Sequence, residues 1–185
     1  MVFDIFTLVE GFWIILPAYA ANGLAPLIKY KKNLHPMDSH KNFFGKPLFG
    51  PGKTWEGFFL GILCAVIISL VEMLAFPYLP WQISEEVHGV KLNIVPMGPG
   101  LGLLLGLGAM LGDLVASFFK RRIGLQSGAP TPILDQDDFV VGAFFFASFV
   151  GIEFSWVILY LIITPVFHYI ASLVGYRLGI KKTPW

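Results

Sequence analysis

The sequence predicts an all-α fold: a polytopic transmembrane bundle of about five helices. Three observations carry this. The 185 residues are 56% hydrophobic and only 14% charged, far from the roughly half-apolar, quarter-charged makeup of a soluble domain. Mean hydropathy is +0.71. Five apolar stretches approach the roughly 20 residues that a helical crossing needs.

The first helix is expected over Ile5–Ile28. A retained helix is expected here in preference to a signal peptide: the segment lacks a basic n-region, carries Asp4 and Glu10 instead, and is long for an h-region. The second and third are expected over Gly57–Leu79 and Gly98–Phe119. The fourth and fifth form one apolar run too long for a single crossing, divided here into Phe139–Gly151 and Ile152–Val174 with a turn at Glu153 and Ser155. The single cysteine, Cys64, lies inside the second helix and forms no internal disulfide. Glycines of the third helix (98, 100, 102, 106, 108 and 112) include small-xxx-small pairs that favour close helix packing. Glu10, Glu72, His35, His40 and His168 receive no role. One membrane domain spans 1–185, with no repeat or low-complexity segment.

Lysine and arginine orient the bundle. Lys29, Lys31, Lys32, Lys41, Lys46 and Lys53 fall between helices one and two. Lys120, Arg121 and Arg122 follow helix three, and Arg177, Lys181 and Lys182 lie in the tail. Of the 13 basic residues, Lys91 alone falls on the other side. The positive-inside rule then puts the N-terminus outside, the C-terminus in the cytoplasm, and cytoplasmic loops near 29–56 and 120–138. The net charge of +1 hides this asymmetry.

Two of those cytoplasmic stretches carry more chemistry than topology requires. Pro51-Gly52-Lys53-Thr54-Trp55-Glu56-Gly57 enters helix two. It is not a Walker loop, since Pro47 stands where the first glycine belongs. Its residue types nonetheless suit phosphate: a glycine for close approach, a lysine for charge, and the free N–H groups of a helix start. An ordinary helix entry with an interfacial tryptophan fits equally well. The second stretch runs from Gly112 to Asp138. Asp113, Ser117, Lys120 and Arg121 stand at i, i+4, i+7 and i+8, one helix face leading from a buried acid to a basic cluster. A carboxylate at the depth of Asp113 is costly unless paired or ligated. After a loop with Gly124, Gly128, Pro130 and Pro132 come Asp135, Asp137 and Asp138. Aspartates at a helix start favour its dipole, which accounts for the loop acids but not for Asp113. Acids beside bases fit a divalent cation meeting phosphates: Mg²⁺ takes carboxylate and phosphate oxygens, and Lys and Arg offset the remaining charge. Asn22, near the inner end of helix one, is polar where lipid disfavours it and is a candidate wall of the same site.

Gly112-Asp113-Leu114, Ser117, Lys120-Arg121 and Leu134-Asp135-Gln136-Asp137-Asp138, with Pro51 to Gly57 upstream, resemble the signature of the phosphatidate cytidylyltransferases (CDP-diacylglycerol synthases). Some positions depart from the bacterial pattern: Gln126-Ser127 for Lys-Asp, Thr131-Pro132-Ile133 for His-Gly-Gly, and Gln136 for the arginine of LDR. With the short chain, these departures resemble the archaeal branch, the CDP-archaeol synthases. The resemblance implies an enzyme that transfers CMP from CTP to an unsaturated ether-lipid phosphate, 2,3-bis-O-geranylgeranylglycerol 1-phosphate, and releases pyrophosphate. Metal binding is then expected of Asp113, Asp135 and Asp138, with Asp137 in reserve, and Mg²⁺ is the expected cofactor. Catalysis is expected to rest on those acids together with Lys120 and Arg121. Lys53, Thr54, Ser117 and Asn22 are expected to hold substrate, and Arg122 to receive the lipid phosphate. The expected partners are CTP, the isoprenoid lipid phosphate and membrane lipid, with no nucleic acid. A homo-oligomer is compatible with the sequence, and the expected location is the cell membrane with the site facing the cytoplasm. A CTP-dependent polyprenol kinase and a small transporter using Asp113 and Glu72 are the competing readings.

Overall fold

In the computed structural model, residues 5–79, 94–127, 129, 131 and 134–177 are described. The expectations placed on Asp4, Lys91, Gly128, Pro130, Pro132, Lys181 and Lys182 lie outside them. Helix α1 spans Ile5–Leu24 and passes into a 3₁₀ turn, Ala25–Tyr30, whose Pro26 interrupts α-helical hydrogen bonding. Helices α2 (Trp55–Ala75), α3 (Pro99–Arg122), α4 (Leu134–Ala147) and α5 (Phe154–Arg177) follow. A small antiparallel hairpin, β1 (Asn42–Phe43) and β2 (Lys46–Pro47), lies in the connection between α1 and α2.

Among the described residues, four helices are long and apolar enough to cross a membrane: Ile5–Tyr30, Trp55–Tyr78, Pro99–Arg122 and Phe154–Val174. Helix α4 has 14 residues, short of the roughly 20 for a crossing. It starts at Leu134, not at the expected Phe139, so Asp135, Asp137 and Asp138 belong to its first turns. Acids there meet the positive end of the helix dipole, which is why the chain becomes helical before its apolar run begins. Helix α3 likewise runs on to Arg122, taking Lys120, Arg121 and Arg122 into its last turn at the negative end of its dipole. The break between α4 and α5 falls at Ser148–Val150 and Gly151, which is left-handed with φ 80° and ψ 58°. Glu153 lies in that connection, but Ser155 is already in α5.

Helix α3 is the centre of the bundle and packs on α1, α2 and α4, while α5 rests on α4 and α1. The glycines make this closeness physical. A Cβ on Gly112 would strike the Asp138 carbonyl, and one on Gly142 the Gly108 carbonyl. On the other side of α3, a Cβ on Gly106 would come within 2.8 Å of the Ala65 Cβ. The small-residue stripe is therefore a packing device on two faces, and backbone contact at Gly112 sets Asp113 next to the first turn of α4. At the end of the bundle away from the basic segments, Trp13 donates to the Val95 carbonyl at 3.1 Å and Trp156 to Glu10 at 3.2 Å. The core between these layers is apolar, built around Ile14, Ile15, Leu105, Phe139, Trp156 and Tyr160.

Candidate active site

The site grows from the α1–α2 connection. Asp38 is buried, and its carboxylate accepts backbone N–H bonds from His40 (3.0 Å), Phe49 (3.1 Å) and Gly50 (2.8 Å). Burial by itself would raise its pKa, but the three N–H donors outweigh it and hold the carboxyl below its ordinary value. Asp38 thus closes the 38–50 segment into a ring whose outer limb is the hairpin. Phe44 (φ 50°) and Gly45 (φ 74°) both have positive φ at its tip, the geometry that two-residue hairpins prefer. Gly50, at φ 101°, takes a conformation that side chains avoid. A Cβ there would also stand 3.0 Å from the Ser127 Oγ. The chain then runs beside the 35–37 segment: Met37 N donates to the Lys53 carbonyl at 2.8 Å and Trp55 N to His35 at 3.0 Å. Thr54 caps α2, its hydroxyl oxygen accepting from Gly57 N at 3.2 Å. His35 is fastened to Glu56, with 2.5 Å from Nδ1 to Oε1.

These fixings deliver Lys53 to α3. Its Nζ lies 2.6 and 2.5 Å from the two carboxylate oxygens of Asp113, the partner that a membrane-depth acid requires. Lys120 pairs with Asp135, whose other oxygen accepts from Thr131 N at 2.8 Å. Asp138 accepts from its neighbour Phe139 N at 2.6 Å through Oδ1, while its buried Oδ2 has no hydrogen-bond partner among the described residues. The charges of Asp113, Lys120 and Lys53 all reach Asp138.

Two cavities meet at this point. One, of about 350 Å³, is polar and lined by Lys53, Asp113, Ser117, Lys120, Arg121 and Asp135, with Phe49, Gly52, Ser127 and Ala129. The other, of about 310 Å³, is mostly apolar and includes Asn22, Lys29, Thr54, Phe58 and Met110. Gly52, Lys53 and Asp113 belong to both walls. The polar cavity therefore gathers six expected residues, and Thr54 and Asn22 stand on the adjoining wall. Asp138 lies in neither lining, just behind Asp113.

Arg122 is placed elsewhere. Its guanidinium donates to the carbonyls of Phe43, Pro47 and, at 3.1 Å, Lys46, and lies 4.9 Å over the Phe118 ring. Lys46 Nζ returns a bond to the Arg122 carbonyl at 2.8 Å. Arg122 thus latches the hairpin to the end of α3 and lines neither cavity. Gln136 stands within 3.2 Å of His168, on the α5 side of α4. Asp38 and Ser127 shape the site without having been singled out. A loop aspartate close before glycines in a turn-rich segment was the available signal for Asp38.

Among the described residues, no three acidic, histidine or cysteine side chains converge as a ready-made metal cage. The donor set still fits Mg²⁺, which keeps waters and uses one or two carboxylates plus substrate phosphates. Asp113 and Asp138 are such a pair, and the orphan Oδ2 of Asp138 is a buried oxygen lacking a partner. Asp113 is paired with Lys53, and Asp135 with Lys120 and Thr131 N, so a divalent ion at either acid would replace a lysine contact.

A family model described as "CarS-like: CDP-archaeol synthase" matches residues 2–185. The CDP-archaeol synthase of Methanococcus aeolicus is 37% identical over 186 residues, covering 98% of both chains. That of Methanopyrus kandleri is 39% identical over 180 residues, covering 95% of this chain and 92% of the relative. A solved structure described as an intramembrane enzyme for archaeal membrane lipids biosynthesis superposes with a TM-score of 0.72 at 26% identity, covering 89% of this chain and 94% of that one.

Proposed function

The chain belongs to the CarS-like CDP-archaeol synthase family, and from that premise we propose how its site performs the reaction and on which lipid. It is a multi-pass membrane enzyme, a CTP-dependent cytidylyltransferase of archaeal lipid synthesis. The acceptor is 2,3-bis-O-geranylgeranylglycerol 1-phosphate, the product CDP-archaeol and the by-product pyrophosphate. The site faces the cytoplasm across the cell membrane, where CTP is available.

A phosphate oxygen of the lipid attacks the α-phosphorus of CTP in line. The bond from that phosphorus to the oxygen bridging the β-phosphate breaks, and pyrophosphate leaves with the electron pair. Little proton transfer is required, because a phosphate monoester is anionic near neutral pH. The protein's task is to position the groups and to offset charge. Lys120 and Arg121, buried at the end of α3, hold phosphates of the nucleotide in the polar cavity, and Ser117 donates to them. Asp135 holds Lys120 in place. Lys53 stands between the cavities, where the attacking and transferred phosphates meet. Thr54 uses an oxygen lone pair for its cap and keeps its proton for a substrate oxygen. Asp113 and Asp138 would hold Mg²⁺, which when bound supplies neutralisation of charge on the nucleotide phosphates.

The observation that carries this reading is the shared wall: a polar and a mostly apolar cavity separated by Lys53 and Asp113. A soluble nucleotide and a lipid anchored in the bilayer need just such a meeting point. The test is CTP turnover against paired ether and ester lipid phosphates at varied Mg²⁺. Preference for the unsaturated diether with dependence on the divalent ion supports the reading; equal turnover of the ester lipid removes the substrate assignment, and turnover unaffected by chelator removes the metal.

A further inference from the structure

We propose that the apolar cavity is the seat of the acceptor's phosphate and that Lys29, with Asn22, is the residue pair that recognises it. The proposal rests on the cytidylyltransferase reading above and deepens it by assigning the second substrate's subsite.

The argument begins with the cations. Bringing a lipid phosphate against CTP unites two anions, so the acceptor side needs positive charge of its own. Lys53 is matched by Asp113, Lys120 by Asp135, and Arg122 by carbonyls of the hairpin. Lys29 also lines the apolar cavity. It stands in the last turn of the 3₁₀ segment after α1, with Nζ 5.2 Å from the Tyr30 ring. Among the described residues it forms no ion pair with an acid. It is exposed, and of the two lysines lining this cavity it is the one not paired with an acid among the described residues. Asn22 lies two turns earlier on the same limb and supplies an amide donor to the same wall.

The remaining lining suits the root of a lipid. Ala25, Ile28, Phe58, Met110 and Leu114 are apolar, a surface that nucleotide phosphates gain nothing from touching. A volume near 310 Å³ accepts a glycerol phosphate head but not two isoprenoid chains, which must leave toward the bilayer. The flanking elements present exposed Leu24, Leu27 and Phe59 to it. In-line transfer further demands that acceptor and pyrophosphate lie on opposite sides of the α-phosphorus. Cavities joined only at Gly52, Lys53 and Asp113 meet that demand.

The test uses the purified full chain in detergent. Equilibrium binding of a short-chain diether glycerol phosphate, and of the matching uncharged alcohol, is measured without CTP. Steady-state KM is then measured for lipid and for CTP. Wild type is expected to bind the phosphate at least tenfold tighter than the alcohol. Lys29→Gln should erase that preference and raise the lipid KM about tenfold with the CTP KM unchanged; Lys29→Arg should restore most of it. Lys32→Gln, the same charge change outside the cavity, should alter neither. An unchanged preference in Lys29→Gln, or a rise in the CTP KM in its place, overturns the proposal. If wild type binds the lipid phosphate selectively but transfers no cytidylyl group, the enzyme reading fails while the binding subsite stands.

Discussion

Lys53 and Asp113, 60 residues apart in the chain, form a two-pronged ion pair with contacts of 2.6 and 2.5 Å. The lysine comes from a loop entering α2 and the acid from within α3, so the pair joins the two stretches of sequence that suggest phosphate chemistry. It also divides the two cavities. Asp113→Asn leaves Lys53 without its counter-charge and removes one of the two carboxylates proposed to meet a divalent ion. Turnover should fall at least ~100-fold, the cost of losing one positioned electrostatic group, while the circular-dichroism helix signal persists. Near-normal turnover in Asp113→Asn would show that the pair is structural only.

Asp138 makes a sharper test of the metal. Its Oδ1 is engaged by Phe139 N, and its Oδ2 is the buried oxygen without a partner. Asp138→Asn keeps the shape and loses the charge, so transfer should be abolished and the Mg²⁺ concentration for half-activity should rise in any residual signal. Substantial activity at unchanged Mg²⁺ demand, measured in purified protein, would remove Asp138 from the metal set.

The α3–α4 contact gives a prediction about packing. Gly112→Ala puts a methyl group into the Asp138 carbonyl, and overpacking of this kind costs about 1–3 kcal/mol. Gly100, by contrast, has nothing within 4 Å of its would-be Cβ, and Gly→Ala in a helix gains about 1 kcal/mol at most. Thermal unfolding in detergent should therefore drop for Gly112→Ala and hold or rise for Gly100→Ala. Activity should be lost in the first alone, because Asp113 and Asp138 are pushed apart.

Asp38 predicts a pH dependence. Its carboxyl is held below the ordinary 3.8 by three backbone N–H donors. The folded state therefore binds this proton less readily than the unfolded one, and the stabilisation is fully present above that ordinary value. It is lost as pH falls through the lowered folded value. Hydrogen exchange of the Phe49 and Gly50 amides should stay slow down to pH 4 and quicken below the folded pKa. In Asp38→Asn it should be fast at neutral pH already; slow exchange in that variant would show that the ring closes without the charge.

The helices were legible because the bilayer demands long apolar runs, and four of the five have them. The start of the fourth helix was not, because Asp135, Asp137 and Asp138 break the apolar pattern while serving the helix dipole. The face from Asp113 to Arg121 could be read from helical periodicity alone. Its pairing with Lys53 could not, since contact across 60 residues depends on how Asp38 folds the loop that presents Lys53. Arg122 shows the same limit: its neighbours on α3 line the site, but the position of the hairpin decides that its own guanidinium bonds to Phe43, Lys46 and Pro47. Hydropathy and spacing report local geometry, and single hydrogen-bonding side chains in irregular segments report the rest.

The central claim is that the polar cavity binds CTP so that its α-phosphorus meets the lipid phosphate at Lys53 and Asp113. The direct test supplies purified enzyme and acceptor lipid with CTP labelled at either the α- or the γ-phosphate. The account predicts α-label in the lipid product and γ-label in released pyrophosphate. Label from the γ-position in the lipid would mean phosphoryl transfer of the kinase type and would contradict it.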